Sequence, residues 1–270
     1  MRRIGSRNGR LTLAAALLAS AALPAFAQTP AQGGPTSAMD DRWHFIVAPY
    51  FWTSGIKGDV SVAGLPSVPV EASISDILGK FDFGLQGHFE ARKNRVGFGT
   101  DLMWIDLGVD AVNTQAVTLT VDVRQLVAEG FVFYRVANGG STDNPAHLDV
   151  LVGGRYTGTR SRLTAETTSG ASHDGEYQQL DWFDGMAGFK FRAPLGSRAA
   201  MLGRADVAGF GSNVTWNLEG DLAFKASQRF TLGAGWRYMD IDYDNGAPGV
   251  AFRQFKLAYS GPRAWFAYSW

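Results

Sequence analysis

The chain has 270 residues, 25 basic against 25 acidic side chains, no cysteine, 33 glycines and 13% aromatic residues. Without cysteine there is neither a disulfide scaffold nor a thiolate metal site, and balanced charge with many aromatics excludes a disordered charged tail. High glycine, against the ~7% of average proteins, with only 19% charged residues leans towards β-structure at a membrane.

At the N-terminus, Arg2, Arg3, Arg7 and Arg10 precede an apolar run from Leu11 to Leu23, and Ala25-Phe26-Ala27 sets small residues at a cleavage site. This reads as a secretory signal over 1–27, cut before Gln28, because the run is short of the ~20 residues a spanning helix needs. A polar periplasmic linker, 28–42, then leads to a folded body over 43–270. Cleavage removes four arginines and no acid, and the resulting net charge of −4 argues against nucleic acid as a partner.

Beyond the signal no apolar stretch reaches 18 residues, so any membrane crossing must use strands. Strands are predicted near 43–53, 82–92, 96–109, 116–136, 147–159, 180–192, 198–210, 214–226, 229–243 and 250–270. In the second, Phe83, Leu85, Gly87, Phe89 and Ala91 alternate with Asp82, Gln86, His88, Glu90 and Arg92, which puts one apolar and one charged face on the strand. The same alternation recurs in Phe183 to Arg192, Trp216 to Lys225 and Phe230 to Tyr238. A soluble barrel and a membrane barrel share this pattern. Segments of about 10 to 15 residues, against five or six in soluble strands, favour a tilted crossing of the hydrocarbon layer. Trp43, Trp52, Trp182, Tyr238 and Trp270 fall near segment ends, where interfacial girdles belong.

Ten strands from a periplasmic N-terminus give an antiparallel up-and-down barrel, all-β, with eight to twelve strands as the allowed range. The two longest connections, 54–81 and 160–179, then face outward. The first is too apolar to hang in water, with Ser73 to Lys80 as a short helix capped by Ser73 or Ser75, and is expected to fold into or across the barrel mouth. Two segments change phase. The apolar positions Val117, Leu119, Val121 and Val123 move to Leu126, Ala128 and Gly130, and those of Phe255, Leu257 and Tyr259 move to Ala264, Phe266 and Tyr268 across Gly261-Pro262. A bulge is expected at the first and a bulge or kink at the second; a true turn at Gly261-Pro262 would change the strand count.

Several stretches carry a resemblance: Gly203-Arg204-Ala205-Asp206-Val207-Ala208-Gly209-Phe210-Gly211, Asn213-Val214-Thr215-Trp216, Gly235-Trp236-Arg237-Tyr238-Met239-Asp240-Ile241-Asp242-Tyr243 and Ser260-Gly261-Pro262. Residues 182–270 resemble a family of small outer-membrane β-barrel proteins common in Gram-negative bacteria, and Pro49-Tyr50-Phe51-Trp52 and Gly153-Gly154-Arg155-Tyr156 extend the likeness. The ending Phe266-Ala267-Tyr268-Ser269-Trp270, with Phe266, Tyr268 and Trp270 on one face, resembles the signal by which the barrel-assembly machinery recognises such proteins. The resemblance implies the bacterial outer membrane and contact with its lipid and lipopolysaccharide, and carries no catalytic residue.

Function must then lie in the lumen or the loops. Strand parity points His88, Glu90, Arg92, Asp101, Arg124, Arg155, Asp184, Lys190, Arg204, Asp206, Glu219, Asp221, Lys225 and Arg237 inward. Mixed charges in a narrow barrel either pair into a structural plug or line a narrow passive channel for small solutes. An outer-membrane lipid hydrolase or acyltransferase is the enzymatic alternative, with His88 beside Glu90 as its one base candidate and no serine on that strand. Loop-mediated adhesion or ligand binding is the other. His173-Asp174 and Glu176 read as solvated polar loop, so neither metal nor cofactor is expected, and the protein is read as a monomer without enzymatic activity.

Overall fold

A computed structural model describes residues 41–62, 68–79, 81–113, 117–141, 144–167, 172–174, 178–248 and 253–270. The signal over 1–27 and the linker up to residue 40 lie outside the described residues. The strands are β1 Trp43–Trp52, β2 Gly55–Val62, β3 Val68–Ala72, β4 Phe81–Lys93, β5 Val96–Asn113, β6 Val117–Gly140, β7 Pro145–Thr167, β8 Ser172–Asp174, β9 Gln178–Pro194, β10 Ala199–Gly209, β11 Val214–Lys225, β12 Phe230–Asp244 and β13 Arg253–Ser269; helix α1, Ile74–Gly79, joins β3 to β4. Hydrogen bonding runs β1-β4-β5-β6-β7-β9-β10-β11-β12-β13, and β13 pairs back with β1. This is a closed antiparallel barrel of ten strands, to which β2-β3 and β8 are additions at the outer end.

Closure reaches the last residue. Phe45 and Trp270 exchange backbone hydrogen bonds of 2.9 and 3.1 Å, and β1 pairs with β13 from Ile46↔Ser269 to Trp52↔Arg263, which closes the sheet on itself. Around the seam the periplasmic ends carry an aromatic belt: Trp270 stacks on Phe45 and Tyr268, Tyr268 meets Phe230, and Trp43 and Phe89 both meet Phe98. Above it the outer wall is greasy, with Val47, Phe51, Leu85, Val152, Phe183, Leu222, Leu232 and Phe266 exposed as a lipid-facing surface requires.

The wall is uneven in height. β10 and β11 are 11 and 12 residues long, close to what a crossing needs, whereas β6 and β7 have 24 and 23 and rise well past the lipid. The expected outer loop 160–179 is therefore largely strand: Thr167 ends β7, β8 folds back on it and β9 starts at Gln178. The short turns sit at the opposite, periplasmic end. At the β4-β5 turn Asn94 takes a left-handed conformation (φ 55°), which Asn tolerates better than most residues, and it receives Arg92 Nη1 on its carbonyl at 2.8 Å.

Both expected disruptions are absent. β6 pairs with β7 without a register shift from Val117 to Arg135, so no bulge lies between Val123 and Leu126; the irregularities fall at Asp110/Val112 in β5 and Arg135/Ala137 in β6. β13 likewise runs unbroken along β12 from Gln254 to Tyr268, neither bulged nor turned at Gly261-Pro262. The residue that does respond to the proline is on the other side. Pro262 accepts a hydrogen bond from the Thr53 N–H at 3.3 Å but has none to return, and there β1 stops and β2 begins in the same register along β13. Gly261 is required by the approach: a Cβ on it would lie 1.9 Å from the Thr53 carbonyl oxygen.

That contact sets a test. Gly261→Ala is expected to lower stability by about 1–3 kcal/mol through backbone displacement at the β1-β2 junction, whereas Pro262→Ala, which supplies a donor, is expected to be neutral or mildly stabilising. Urea midpoints of the protein refolded in lipid vesicles measure both.

Candidate functional site

The inner face has two layers, and only one is the layer that strand parity foresees. In the middle and periplasmic half of the lumen, charged residues meet in pairs. Arg155 is fully buried; it donates from Nε to Glu129 at 2.8 Å and from Nη2 to Asp206 at 2.6 Å. Arg204 closes the square, with Nη2 2.6 Å from Glu129 and Nε 2.9 Å from Asp206. Asn217 joins Asp206 to Arg237, donating to the first at 2.9 Å and accepting from the second at 2.8 Å. Arg237 reaches the Tyr50 hydroxyl at 3.3 Å, which in turn donates to Asp101 at 2.7 Å.

The chain of contacts continues towards the periplasm. His88 places Nδ1 3.2 Å from Asp101 and Nε2 3.1 Å from Glu90. Both ring nitrogens of His88 are thus engaged by carboxylates. Lys190 pairs with Glu90 and lies 3.6 Å above the Phe133 ring. Arg135 grips Asp149 through two bonds, 2.7 and 3.2 Å, and Arg263 pairs with Glu219 and stands 3.5 Å from Asp221. Seven carboxylates, Glu90, Asp101, Glu129, Asp149, Asp206, Glu219 and Asp221, thus face Arg135, Arg155, Lys190, Arg204, Arg237 and Arg263, with His88 between Glu90 and Asp101.

The outer half of the lumen is apolar. Trp52, Met103, Val127, Trp182, Met239, Ile241, Tyr243, Phe255, Leu257 and Tyr259 form one buried cluster, in which Trp182 and Tyr243 stack with ring centroids 4.4 Å apart. This explains the phase changes in the sequence: Phe255, Leu257 and Tyr259 line the lumen while Phe266 and Trp270 on the same strand meet lipid. It also corrects two assignments to the interfacial girdle, since Trp52 and Trp182 point inward and are 5% and 6% exposed.

Of the fourteen residues placed inward by parity, Arg124 is the one on the opposite face, half-exposed and bonded to Asp106 at 2.7 Å, because β6 keeps its register where a bulge would have turned it. Arg92 and Lys225 lie at the periplasmic ends of their strands. Asp184 is buried but has another task, holding the β10-β11 turn: its carboxylate accepts from the N–H groups of Gly211 (3.0 Å) and Ser212 (2.6 Å), the Ser212 hydroxyl (2.9 Å) and the Trp182 indole (3.0 Å). The turn so held leaves Phe210 at φ 90° and fully exposed on the low rim. Glu129, Arg135, Asp149, Asn217, Tyr50 and Arg263 complete the network, and alternation along β6, β7, β11, β1 and β13 was the signal that could have found them. Among the described residues no group of three or more His, Asp and Glu side chains could hold a metal ion.

Loop 54–81 holds α1, capped by Ser73, whose hydroxyl receives the Asp76 N–H at 3.3 Å while the Asp76 carboxylate takes the Ser73 N–H at 2.9 Å. Ile77 is the buried residue of the helix and packs with Met103, Ile105 and Tyr259 from the inner wall, so the helix covers part of the mouth.

The network sets its own test. Arg155→Leu leaves Glu129 and Asp206 to share Arg204 as their close counter-charge and is expected to cost about 3–5 kcal/mol, and His88→Leu is expected to cost less, since Glu90 keeps Lys190 and Asp101 keeps the Tyr50 hydroxyl. Unfolding in lipid vesicles, read by tryptophan fluorescence, ranks the two; equal, negligible losses would mean that water fills the lumen.

No family model and no curated protein matches the chain. Solved structures do match. The outer membrane protease OmpT of Escherichia coli superposes with a TM-score of 0.52 at 6% identity, over 87% of this chain and 99% of that one. The outer membrane protein OprG of Pseudomonas aeruginosa matches at a TM-score of 0.35 and 13% identity, over 86% and 97%. The translocator domain of the autotransporter NalP of Neisseria meningitidis matches at 0.38 and 12%, over 84% and 88%. A closed ten-stranded barrel with a greasy outer band, an aromatic belt and its charges enclosed has one environment that suits it, and the chain is an outer-membrane β-barrel protein.

Proposed function

We propose that this protein is a plugged, non-enzymatic barrel that serves the outer membrane as a structural element and as a support for its raised outer wall. The observation that carries the reading is the filling of the lumen at two successive levels, a neutralised network of ion pairs below and an interlocked aromatic layer above. A passive channel needs polar groups that exchange partners with a passing solute. Here Arg155, Asp184, Asn217 and Arg237 are essentially inaccessible and already bonded to one another, to neighbouring carboxylates or to the wall. His88, the base candidate, is held between two carboxylates and faces no hydroxyl nucleophile in its bonded partners.

Lipopolysaccharide is the partner this reading adds. Arg124 and Arg160 stand directly opposite each other on β6 and β7, both on the outward face. They lie one alternation above Trp104 and Gly158 in the same ladders, at the upper margin of the lipid-facing wall. Arg124 is already paired with Asp106 on β5, and an outer-leaflet phosphate would give the two facing arginines a shared anion. The monomeric barrel would reach the membrane through the assembly machinery, which reads Phe266, Tyr268 and Trp270 on β13.

Planar-bilayer recording tests the plugged lumen: the purified protein is expected to give no discrete conductance steps, and steady small currents would favour the narrow-channel reading instead. For the lipid partner, lipopolysaccharide is expected to raise the melting temperature of the wild type and to lose most of that effect on the Arg124→Ala/Arg160→Ala variant.

A further inference from the structure

The barrel wall has one place where the ladder opens within the outer half of the membrane. β1 and β4 pair only from Trp43↔Lys93 to Pro49↔Gly87; above that point β1 continues along β13 into β2, while β4 stays with β5. Beyond Pro49, Trp52 turns its N–H and carbonyl to the β4 side, where no backbone partner is paired with it. A side chain bridges the gap. Gln86 accepts the Trp52 N–H on Oε1 at 2.7 Å and donates from Nε2 to the Trp52 carbonyl at 3.1 Å, standing in for two ladder bonds.

Behind this bridge is a cavity of about 20 Å³, lined by Trp52, Thr53, Ile56, Ile77, Met103 and Tyr259 among others. Its walls are apolar, yet two polar atoms on it are unsatisfied. The Trp52 indole Nε1 and the Thr53 hydroxyl are buried and without a hydrogen-bond partner, on residues 5% and 9% exposed. A buried donor left without an acceptor costs about 1–3 kcal/mol, and these two belong to neighbouring residues that line one space. The closed space suits one water molecule. It is closed by the buried Ile77 of α1, a helix of six residues in which Ser75 and Asp76 are exposed.

The depth of the site narrows the chemistry. Thr53 lies opposite Pro262, which in turn lies opposite the exposed Trp236; two residues further along β12, Tyr238 donates to the Asp240 carboxylate at 2.7 Å. The outer surface of the wall therefore passes from apolar to charged at this height. An amphiphile lying at the membrane interface thus meets the wall at this height. We infer that the cavity behind Gln86 is the closed form of a binding site for a single-chain fatty acid, whose carboxylate accepts from Trp52 Nε1 and Thr53 Oγ1 while its chain takes the place of the Ile77 side chain against Met103, Ile56 and Tyr259. α1 is the plug of this site and Gln86 its latch. The inference stands whether or not the lumen conducts ions, so its failure and that of the plugged-barrel reading are distinguishable.

The test uses the full-length mature protein in lipid nanodiscs with cis-parinaric acid, a fluorescent fatty acid, as the probe. The wild type is expected to give a saturable signal above that of empty nanodiscs. Ile77→Ala, which unplugs the mouth, should tighten binding several-fold, and Trp52→Phe combined with Thr53→Val should weaken it at least tenfold, with Thr53→Ser restoring its share. Because the chain has no cysteine, Ile77→Cys with Ile105→Cys gives a single reversible cross-link that should abolish binding when oxidised and return it on reduction. Heat-dependent gel mobility establishes that each variant is folded. No saturable signal even in the Ile77→Ala protein overturns the inference, as does binding indifferent to Trp52 and Thr53; in either case the two polar atoms serve a structural water only.

Discussion

A guanidinium enclosed by a narrow β-barrel has no water to turn to, and the arrangement of the interior follows from that constraint. Taking an ion out of water costs several kcal/mol even after relaxation, and only close, well-bonded partners of opposite charge offset it. Glu129 illustrates the solution. It receives Arg155 and Arg204 on separate oxygens, while both arginines also meet Asp206. Each charge is shared among several strands, β6, β7 and β10 in this case, so the network ties the barrel across its width as well as around its wall. A lone substitution inside it removes one of several partners from each neighbouring charge, so its effect spreads over more than one strand.

The apolar layer above the charges answers a different need. β5, β6, β7 and β9 rise past the lipid, where the inner face of the wall would otherwise lie open to water. Filling that end with Trp182, Tyr243, Phe255 and their neighbours keeps solvent from the ion pairs and so keeps the interactions between them strong. Arg237, stacked 4.8 Å from the Trp52 ring, marks the boundary between the layers. The barrel thus has the buried core of a soluble protein at one end and a membrane protein's inverted wall at the other.

How much of this was legible in the sequence depended on whether one strand or several carried the information. The ten strands could be read because alternation is a local property, and most of their ends fall within a few residues of where the hydrogen bonds place them, although β7 runs on from the expected Thr159 to Thr167. Parity also put Arg155, Asp184, Arg204 and Arg237 inside. It failed where both faces of a strand are apolar at different heights. Along β13 the inner residues Phe255, Leu257 and Tyr259 and the outer residues Phe266 and Trp270 look like one face interrupted by a bulge, although the register never changes. The pairing itself was out of reach: Arg237 and Tyr50 are 187 positions apart, and nothing in either segment names the other.

The break between β1 and β2 shows how a small local cause reaches the function-bearing part of the wall. Pro262 withholds one hydrogen bond and Gly261 admits the Thr53 carbonyl, which together let the first strand bend away from β4 along β13. Once it bends, the gap has to be bridged by Gln86 and covered by α1, and the indole of Trp52 and the hydroxyl of Thr53 are turned into a space with no acceptor. A proline in an unbroken strand would be a defect in most sheets. Placed where the barrel's first and last strands meet, it sets the one seam in the wall, and the seam in turn decides which side chains the outer leaflet can reach.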